Sequence, residues 1–548
     1  MNRIGLVIFS MKADKQKIFT KLLIRHAITV LVLAVMLFSL SLSADSQTTD
    51  AVKYEPKKAV KAADKLIQKG GLPDAEKILR DTLADNPNDV DVKLKLAFTL
   101  LKMRILGEAY TLSFEAAKAD KQNSQAFAIL GATLLAGGRF NDARAILDQS
   151  LKIDKRNDLA LATYGLLEFF ENRINISLGY LGEANFIVPD NPDYIFAFAQ
   201  VAARAERYQE AANAYRKFLL YARDADDDRR ARIRGLINFL EYLGVRSSLY
   251  SISGKETASV QFELKGNRPV ILVKINGKSE SLRFVLDTGS GISVISNETS
   301  KRLKIKPIAR GGHAKGIGGN GKFEIVYGFL KEVEIGEVRV RNVPVYIREF
   351  HHNIHDIDGY IGISLISKFL TTIDYGTKSF TLDRLEVGDA SKRRKDDLSL
   401  PLRLTSSGFL SGEVQMEGVD EPMNFIVDTG ASVSVVAENM ANREPFISLP
   451  RLEALRVVGS AGITENVEAF TLPKISFGEH TRESITAIAL DLEIINDASG
   501  FKQSGILGGN FFLNYRMTFD FRNSRLLFSP TKPDSADPPE PDEVKSLY

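Results

Sequence analysis

The hydrophobic positions follow two different patterns along the chain, and the pattern changes near residue 247. Before this point apolar residues recur at helical spacing, as at Phe127, Leu130 and Leu134. After it apolar and polar residues alternate, as at Val260 and Phe262. The first spacing is typical of amphipathic helices, and alternation is typical of half-buried strands. The sequence therefore predicts an all-α first part and an all-β second part.

The helical part repeats with a period of 34 residues. Small side chains let two antiparallel helices approach closely, and here they recur in pairs at a fixed spacing. The pairs are Ala63/Ala75, Ala97/Ala109, Gly131/Ala143, Gly165/Ser177 and Ala199/Ala211. About five helix pairs are predicted over 56–225, followed by a capping helix that begins at Asp226 and completes a domain of 56–245. The alternative is an irregular helical bundle.

This pattern resembles the tetratricopeptide repeat (TPR). Ser177 departs from the usual alanine, and the chain contains no tryptophan, which the fullest form of the repeat has. The resemblance implies an all-α TPR solenoid that binds a peptide or protein partner in its concave groove. It implies no catalytic role for this part.

One short segment of the β part occurs twice, as Phe284–Ser290 and as Phe425–Ala431. In each copy an apolar run delivers an aspartate, Asp287 or Asp428, to a Thr-Gly turn. A carboxylate at the end of a buried strand is costly unless it has a partner or a task. We therefore expect each aspartate to be the partner of the other.

The surroundings of the two aspartates are duplicated as well. Each aspartate is followed by an apolar segment, a glycine-containing hairpin and a second glycine signature, Gly359–Gly362 or Gly505–Gly508. The duplication predicts two β lobes. The expected boundaries are 250–385 for lobe 1, 386–398 for a charged linker, 399–531 for lobe 2 and 532–548 for a disordered tail.

These motifs resemble the aspartic proteases, and the lobe size is most similar to the retropepsin-like branch. The resemblance covers 250–530 and implies a pair of retropepsin-like (acid protease) lobes. It implies that Asp287 and Asp428 form the catalytic dyad. It also implies that the second glycine signature packs behind each aspartate loop, and that Gly289 and Gly430 let the backbone approach the carboxylates.

The same resemblance implies that Thr288 and Thr429 each bond across to the opposite lobe and lock the pair. The residues leave two arrangements open, because the lobes could face each other within one chain or pair between chains. The short linker favours one chain, since it keeps the local concentration high.

The resemblance also implies the chemistry. Two carboxylates about 3 Å apart do not both ionise easily, and aspartic proteases are the usual example. The ionised member acts as general base on a water, and the protonated member polarises the peptide carbonyl and later protonates the amide nitrogen. No cofactor and no metal are implied. An acid-to-neutral pH optimum is expected.

Two glycine-rich hairpins are candidates for flaps that close over a substrate. The first contains Gly316, Gly318 and Gly319, and the second contains Gly459. Neither contains the tyrosine found in the flap of pepsin-like enzymes. The alternative is an ordinary surface hairpin in either place.

Composition narrows the function classes further. The absence of cysteine excludes disulfides, thiolate metal sites and cysteine nucleophiles. The formal net charge of +3 comes from the basic N-terminus, so the remainder is close to neutral and no nucleic acid is expected as a partner. The run His351–His355 is more typical of a solvated loop than of a metal site, and the basic run Lys392–Lys395 is interpreted as a solvated linker or a nick site.

The N-terminus has the order of a secretory signal within 1–44. Basic residues from Lys12 to Arg25 precede an apolar run from Ala27 to Leu42, and small residues follow. The alternative is an uncleaved anchor in the inner membrane, because the apolar run is at the short limit for spanning. Both readings predict an exported protein that is periplasmic or secreted.

The sequence as a whole predicts an exported aspartic endopeptidase whose TPR domain recruits a protein partner or the polypeptide substrate. The alternative is a non-catalytic peptide-binding scaffold with a vestigial protease fold. Both DTG triplets are intact, and this favours the enzyme.

Overall fold

The computed structural model describes residues 55–222, 225–246, 248–319, 321–351, 356–385 and 396–531. The predicted leader at 1–44, most of the predicted linker (386–395) and the predicted tail at 532–548 lie outside the described residues. Within the described ranges, no helix has the length and apolar character needed to cross a membrane.

Five antiparallel helix pairs form the first part of the structure and confirm the predicted TPR-like array. The first helices of the pairs are α1 (Pro56–Ile67), α3 (Val90–Lys102), α5 (Ser124–Ala136), α7 (Asp158–Phe170) and α9 (Pro192–Arg204). The second helices are α2 (Leu72–Asp85), α4 (Leu106–Ala119), α6 (Phe140–Ile153), α8 (Ile174–Ile187) and α10 (Tyr208–Tyr221).

The small residues of the repeat lie where the two helices of a pair touch. An added Cβ at Gly131 would lie 2.7 Å from Leu147 Cδ2, so a larger side chain would separate α5 from α6. The unusual Ser177 is accommodated because its buried hydroxyl donates a hydrogen bond of 2.6 Å to the Gly165 carbonyl. The serine therefore preserves the close approach that alanine provides elsewhere.

The helix that follows the array, α11 (Asp227–Gly244), buries two faces rather than one. Asp226 caps its N-terminus by accepting a hydrogen bond of 2.6 Å from the Arg229 N–H. Ile233 and Ile237 belong to the core of the array, as a capping helix requires. Phe239 lies in a separate apolar cluster formed with the β part. The predicted capping helix therefore also joins the two parts of the protein.

Within the described residues, lobe 1 consists of twelve strands and two short helices. Its strands are β1 (Ser251–Gly254), β2 (Thr257–Gln261), β3 (Glu263–Lys265), β4 (Arg268–Ile275), β5 (Leu282–Leu286), β6 (Val294–Ser296), β7 (Ala309–Lys315), β8 (Lys322–Ile335), β9 (Val338–Arg348), β10 (Gly359–Ile361), β11 (Phe369–Asp374) and β12 (Ser379–Arg384). Its helices are α12 (Asn297–Arg302) and α13 (Ile363–Ile366).

Lobe 2 repeats this plan. Its strands are β13 (Leu398–Pro401), β14 (Arg403–Leu404), β15 (Leu410–Met416), β16 (Met423–Val427), β17 (Ser434–Ala437), β18 (Arg451–Gly459), β19 (Gly462–Phe477), β20 (His480–Leu490), β21 (Gly505–Leu507), β22 (Tyr515–Asp520) and β23 (Arg525–Pro530). Its helices are α14 (Glu438–Ala441), a 3₁₀ turn at Phe446–Ser448, α15 (Glu493–Ser499) and α16 (Gly509–Phe512). Because β13 begins at Leu398, the predicted linker of 386–398 runs one residue into this strand.

The strands form one sheet in each lobe and one sheet that both lobes share. The lobe 1 sheet has the order β1-β9-β6-β10-β5-β4-β8-β7, and the lobe 2 sheet has the order β14-β15-β16-β21-β17-β20-β19-β18. The shared sheet has the order β13-β23-β22-β11-β12-β2. At its centre Thr371 of lobe 1 pairs with Phe519 of lobe 2. The two lobes of one chain therefore face each other.

The turns inside the helix pairs contact the lobes. Four of these contacts are hydrogen bonds to a main-chain carbonyl: Arg104 to Gly500, Asn424 to Gly138, Asn172 to Phe521, and Arg204, the last residue of α9, to Thr405. Beside them Phe501 of lobe 2 is fully buried in the array, with ring centroids 4.9 Å from Phe140 and 5.0 Å from Phe170. The array and the lobes thus share an apolar core.

The hairpin of β7 and β8 rests on α11. An added Cβ at Gly235 would lie 2.2 Å from the carbonyl oxygen of Arg310 in β7. The rings of Phe239 and Tyr327 stack with their centroids 4.4 Å apart. The last helix of the array, α11, therefore packs against the two strands that carry the first candidate flap.

Candidate active site

Equivalent strands deliver the two aspartates to the cleft between the lobes. Strand β5 ends just before Asp287, and β16 ends just before Asp428; both strands are buried over the three residues that precede the aspartate. The main-chain N–H of Asp287 donates to the Ile361 carbonyl at 3.0 Å, and that of Asp428 donates to the Leu507 carbonyl at 2.9 Å. The second glycine signature therefore lies directly beside each aspartate, where the resemblance places it.

The glycine that begins each second signature is required by packing. Strand β10 lies between β5 and β6, and β21 lies between β16 and β17. An added Cβ at Gly359 would lie 2.2 Å from the Phe284 ring, and one at Gly505 would lie 2.1 Å from the Phe425 ring. Any larger residue at either position would displace the strand that carries the aspartate.

Two buried serines that the sequence analysis missed support the loops. Ser293 Oγ accepts a hydrogen bond of 3.1 Å from the Gly362 N–H, and Ser434 Oγ accepts one of 3.1 Å from the Gly508 N–H. Each serine comes six residues after the aspartate of its own lobe. This common offset was a usable signal, because it places equivalent serines in the two copies.

The two threonines bond across the lobes. The hydroxyl of Thr288 donates to the Val427 carbonyl at 2.6 Å, and the hydroxyl of Thr429 donates to the Leu286 carbonyl at 2.6 Å. Each hydroxyl also accepts the main-chain N–H of the other threonine, at 3.0 and 3.2 Å. Both side chains are fully buried, so the four bonds hold the aspartate loops in fixed positions.

The two carboxyl groups lie against each other. Each glycine lies over the aspartate of the opposite lobe: an added Cβ at Gly289 would lie 2.4 Å from Asp428 Cγ, and one at Gly430 would lie 2.7 Å from Asp287 Cγ. The N–H of Gly430 donates to Asp428 Oδ1 at 2.7 Å. Both aspartates keep some exposure to the cleft. The geometry thus brings together all six residues of the predicted dyad and its support.

Burial raises the pKa of Asp287 well above its usual value, and so do the charge of Asp428 and the hydrogen bond between the two carboxyl groups. The Gly289 N–H and the positive charge of Arg348 oppose this rise in pKa. Burial also raises the pKa of Asp428, although the Gly430 N–H and the bond from Asp287 oppose that rise. Two adjacent carboxyl groups with raised pKa values share one proton as a unit.

The two candidate flaps meet at their tips. The Gly319 N–H donates to the Ile463 carbonyl at 3.1 Å, and the Ala461 N–H donates to the Ile317 carbonyl at 2.8 Å. The Ile317 side chain packs against an apolar cluster of lobe 2 that includes Val435. Of the first hairpin, Asn320 lies outside the described residues. The glycines at both tips allow two main chains to approach closely.

Arg348 connects these hairpins to the dyad and was also missed by the sequence analysis. It ends β9 in lobe 1, and its guanidinium lies 3.9 Å from the ring centroid of Phe323 in the first hairpin. Its Nη2 donates to the Ser460 carbonyl in the tip of the second hairpin. A single arginine in a strand gives no pattern by which the sequence reveals this position.

Two other candidate motifs are only partly described. Of the histidine run, His351 lies within the described residues and 352–355 lie outside them. The basic run at 392–395 also lies outside them.

The sequence of each lobe matches the aspartyl protease family model, over residues 271–365 and again over 412–511. No protein of curated function matches the chain. Among solved structures, an aspartic proteinase from Irpex lacteus is 15% identical; the match covers 51% of this chain and 99% of that one, with a TM-score of 0.35. A thermophilic TPR protein of Thermus thermophilus is 20% identical; the match covers 33% of this chain and 99% of that one, with a TM-score of 0.30.

Proposed function

Since each of its two C-terminal lobes matches the aspartyl protease family model, we propose that the protein is an endopeptidase that cleaves peptide bonds with Asp287 and Asp428. The observation that carries this proposal is the contact between the two carboxyl groups, whose pKa values are both raised by burial, that of Asp287 also by the charge of Asp428. Such a pair holds one acidic and one basic group at the same place and the same pH.

The pair activates a water molecule in the cleft. The ionised carboxylate takes a proton from the water, whose oxygen attacks the carbonyl carbon of the scissile peptide bond. The protonated carboxyl donates a hydrogen bond to the carbonyl oxygen, which gains negative charge in the transition state. A proton then passes to the amide nitrogen, the C–N bond breaks, and a carboxylic acid and an amine leave.

The hairpins close the cleft above the dyad. A substrate has to enter between Ile317 and Ala461, because the hydrogen bond between these residues closes the described structure at that point. Closure excludes water and holds the peptide over the carboxyl groups. The proposed cycle therefore includes opening and reclosure of the tips.

We also propose that the TPR array recruits a protein partner or the substrate itself, and that the protein acts outside the cytoplasm. Recruitment is supported by the kind of repeat, since stacked helix pairs form extended concave surfaces that bind polypeptides. Export is supported by the signal-like order of the residues in 1–44.

The dyad is tested by comparing peptide hydrolysis by the wild type, Asp287→Asn and Asp428→Asn. Defined peptides are incubated from about pH 3 to pH 8, a range that spans the ordinary carboxyl pKa values, and products are identified by mass spectrometry. Each variant should lose a factor of about 10²–10⁴ in kcat. Asp420→Asn, at an exposed position of lobe 2, is the matched control and should keep full activity.

Full activity in either dyad variant would show that the two aspartates do not act together. A wild type that cleaves no peptide across the whole pH range would instead favour a peptide-binding scaffold.

A further inference from the structure

A cavity of about 670 Å³ lies between the first hairpin and α12 of lobe 1. Four elements contribute to its walls: the β7–β8 hairpin, the helix α12, the end of β9 and the start of α11. Arg348 and Phe323 line it, and the same two side chains contact each other below the second hairpin. A volume of this size accommodates several residues' side chains or a small ligand.

Most charges in this cavity are already paired. Arg310 forms an ion pair with Glu324, and Lys322 lies 3.7 Å from Asp228 of α11. Arg348 differs from them, since no ion pair joins it to a carboxylate in the part of the chain that the structure describes. Its Nε atom is buried and has no hydrogen-bond partner among the described residues.

A half-buried guanidinium that forms no ion pair is unfavourable, and an incoming carboxylate relieves this cost. Burial lowers the pKa of Arg348, but arginine remains protonated under all working conditions. Its positive charge also lowers the pKa of Asp287. Arg348 thus lines the cavity, forms no ion pair among the described residues and acts electrostatically on the dyad.

The equivalent position in lobe 2 has a different character. In lobe 1 the parallel pairing of β6 with β9 sets Ser296 opposite Arg348, and in lobe 2 the pairing of β17 with β20 sets Ala437 opposite Leu490. Leu490 lines a second cavity, of about 450 Å³, to which both hairpins contribute residues. The two sides of the cleft therefore offer one cationic and one apolar position.

We propose that Arg348 binds the side-chain carboxylate of a glutamate or aspartate in the substrate, so that the enzyme selects peptides with an acidic residue on the lobe 1 side of the cleft. This inference rests on the proposed peptidase function. When the hairpins separate to admit a peptide, Nη2 loses the Ser460 carbonyl, and the guanidinium gains further free donors for a two-point contact with a carboxylate.

The test compares pairs of peptides that differ only in glutamate against glutamine, with the acidic residue moved stepwise along the sequence. At one position wild type should cleave the glutamate peptide with a kcat/KM about 10- to 100-fold higher, as a charge-assisted hydrogen bond provides. Arg348→Gln should abolish this ratio, Arg348→Lys should retain part of it, and Arg348→Glu should favour a lysine peptide instead.

Arg339→Gln is the matched control. Arg339 lies on the same strand, is exposed and pairs with Glu334, so the ratio between the two peptides should not change. If Arg348 only latches the second hairpin, Arg348→Gln will slow both peptides equally and leave the ratio unchanged, and the inference is then wrong.

Binding separates this inference from the peptidase proposal. Fluorescently labelled glutamate and glutamine peptides are titrated against Asp287→Asn, with and without Arg348→Gln. Cleavage by wild type together with equal affinities and equal rates would overturn the acidic preference and leave the peptidase standing. A preference in binding that depends on Arg348, without any cleavage by wild type, would overturn the peptidase and leave the acidic site standing.

Discussion

Thr288 and Thr429 form a reciprocal bond between the lobes: each hydroxyl donates to the carbonyl that precedes the other lobe's aspartate and accepts the other threonine's N–H. Thr288→Ala removes the hydroxyl and leaves the buried Val427 carbonyl and Thr429 N–H unpaired. We expect the free energy of unfolding to fall by about 1–3 kcal/mol for each buried group left unsatisfied. Urea denaturation measures this loss.

Thr288→Ser is the control for the threonine variant, because it keeps the hydroxyl and removes only a methyl group. It should retain most of the stability and most of the peptidase activity. Equal stabilities for the alanine and serine variants would show that the cross-lobe bonds do not stabilise the dyad.

The raised pKa of Asp287 makes stability depend on pH in a defined direction. The folded state holds a proton that the unfolded chain loses above about pH 4. The contribution of this proton to the free energy of unfolding is complete below the pKa of Asp287 in the unfolded chain. It is lost as the pH rises through the pKa of Asp287 in the folded protein. The asparagine in Asp287→Asn does not titrate. The free energy of unfolding of this variant should therefore rise relative to that of the wild type from pH 4 towards neutral pH, by about 1.4 kcal/mol for each unit by which the folded pKa of Asp287 exceeds its unfolded pKa.

Chemical denaturation of the two proteins at several pH values measures this divergence. Parallel curves from about pH 4 to pH 7 would be inconsistent with a proton shared by the pair.

The contact between the hairpin tips depends on Gly459. An added Cβ there would lie 2.3 Å from the Ile317 carbonyl, and both atoms belong to tips that have to meet. Gly459→Ala should therefore hinder closure and lower kcat/KM about 10- to 100-fold, the range found when a reacting group is misplaced by an ångström. Steady-state kinetics with one good peptide substrate provide the measurement.

Gly107→Ala is the control for the fall in kcat/KM expected of Gly459→Ala. Gly107 lies in α4, and nothing lies within 4 Å of a Cβ added there, so kcat/KM should not change. Unfolding should be almost unchanged in Gly459→Ala. An unaltered kcat/KM in this variant would mean that catalysis does not need the tips to touch.

Because α11 packs on β7, alanine substitutions at two helical glycines should change the stability of the protein in opposite directions. Gly179→Ala, in an open position of α8, should stabilise the protein by about 0.5–1 kcal/mol, because alanine favours a helix. Gly235→Ala should destabilise it, since the new methyl group meets the main chain of Arg310. Hydrogen exchange of the β7 amides should become faster only in the second variant, and stabilisation by both substitutions would contradict the described packing.

The sequence was informative wherever a feature is local and occurs more than once. The two DTG segments identify Asp287 and Asp428 because each copy supports the interpretation of the other, and the 34-residue period identifies the array for the same reason. Ser293 and Ser434 were accessible by this logic through their common offset. Repetition converts a weak local pattern into a specific prediction.

Features that depend on a single distant contact could not be predicted. Phe501 reads as an ordinary core residue of lobe 2, yet its partners Phe140 and Phe170 belong to the array. Gly235 reads as a tolerated helical glycine, and its role follows only from the approach of β7. The structural role of each of these residues depends on contacts with a segment that is distant in the sequence, and no local sequence pattern indicates such contacts.

The shared sheet has a consequence for how the cleft can treat a peptide. A site assembled from two identical chains is the same from either side, so it cannot by itself tell the N-terminal from the C-terminal direction of a substrate. Here the two halves lie in one polypeptide joined through β11 and β22, and each half can change without the other. Arg348 on one side and Leu490 on the other make the two ends of the cleft chemically different. A peptide also has two different ends, so the cleft can favour one direction of the bound chain.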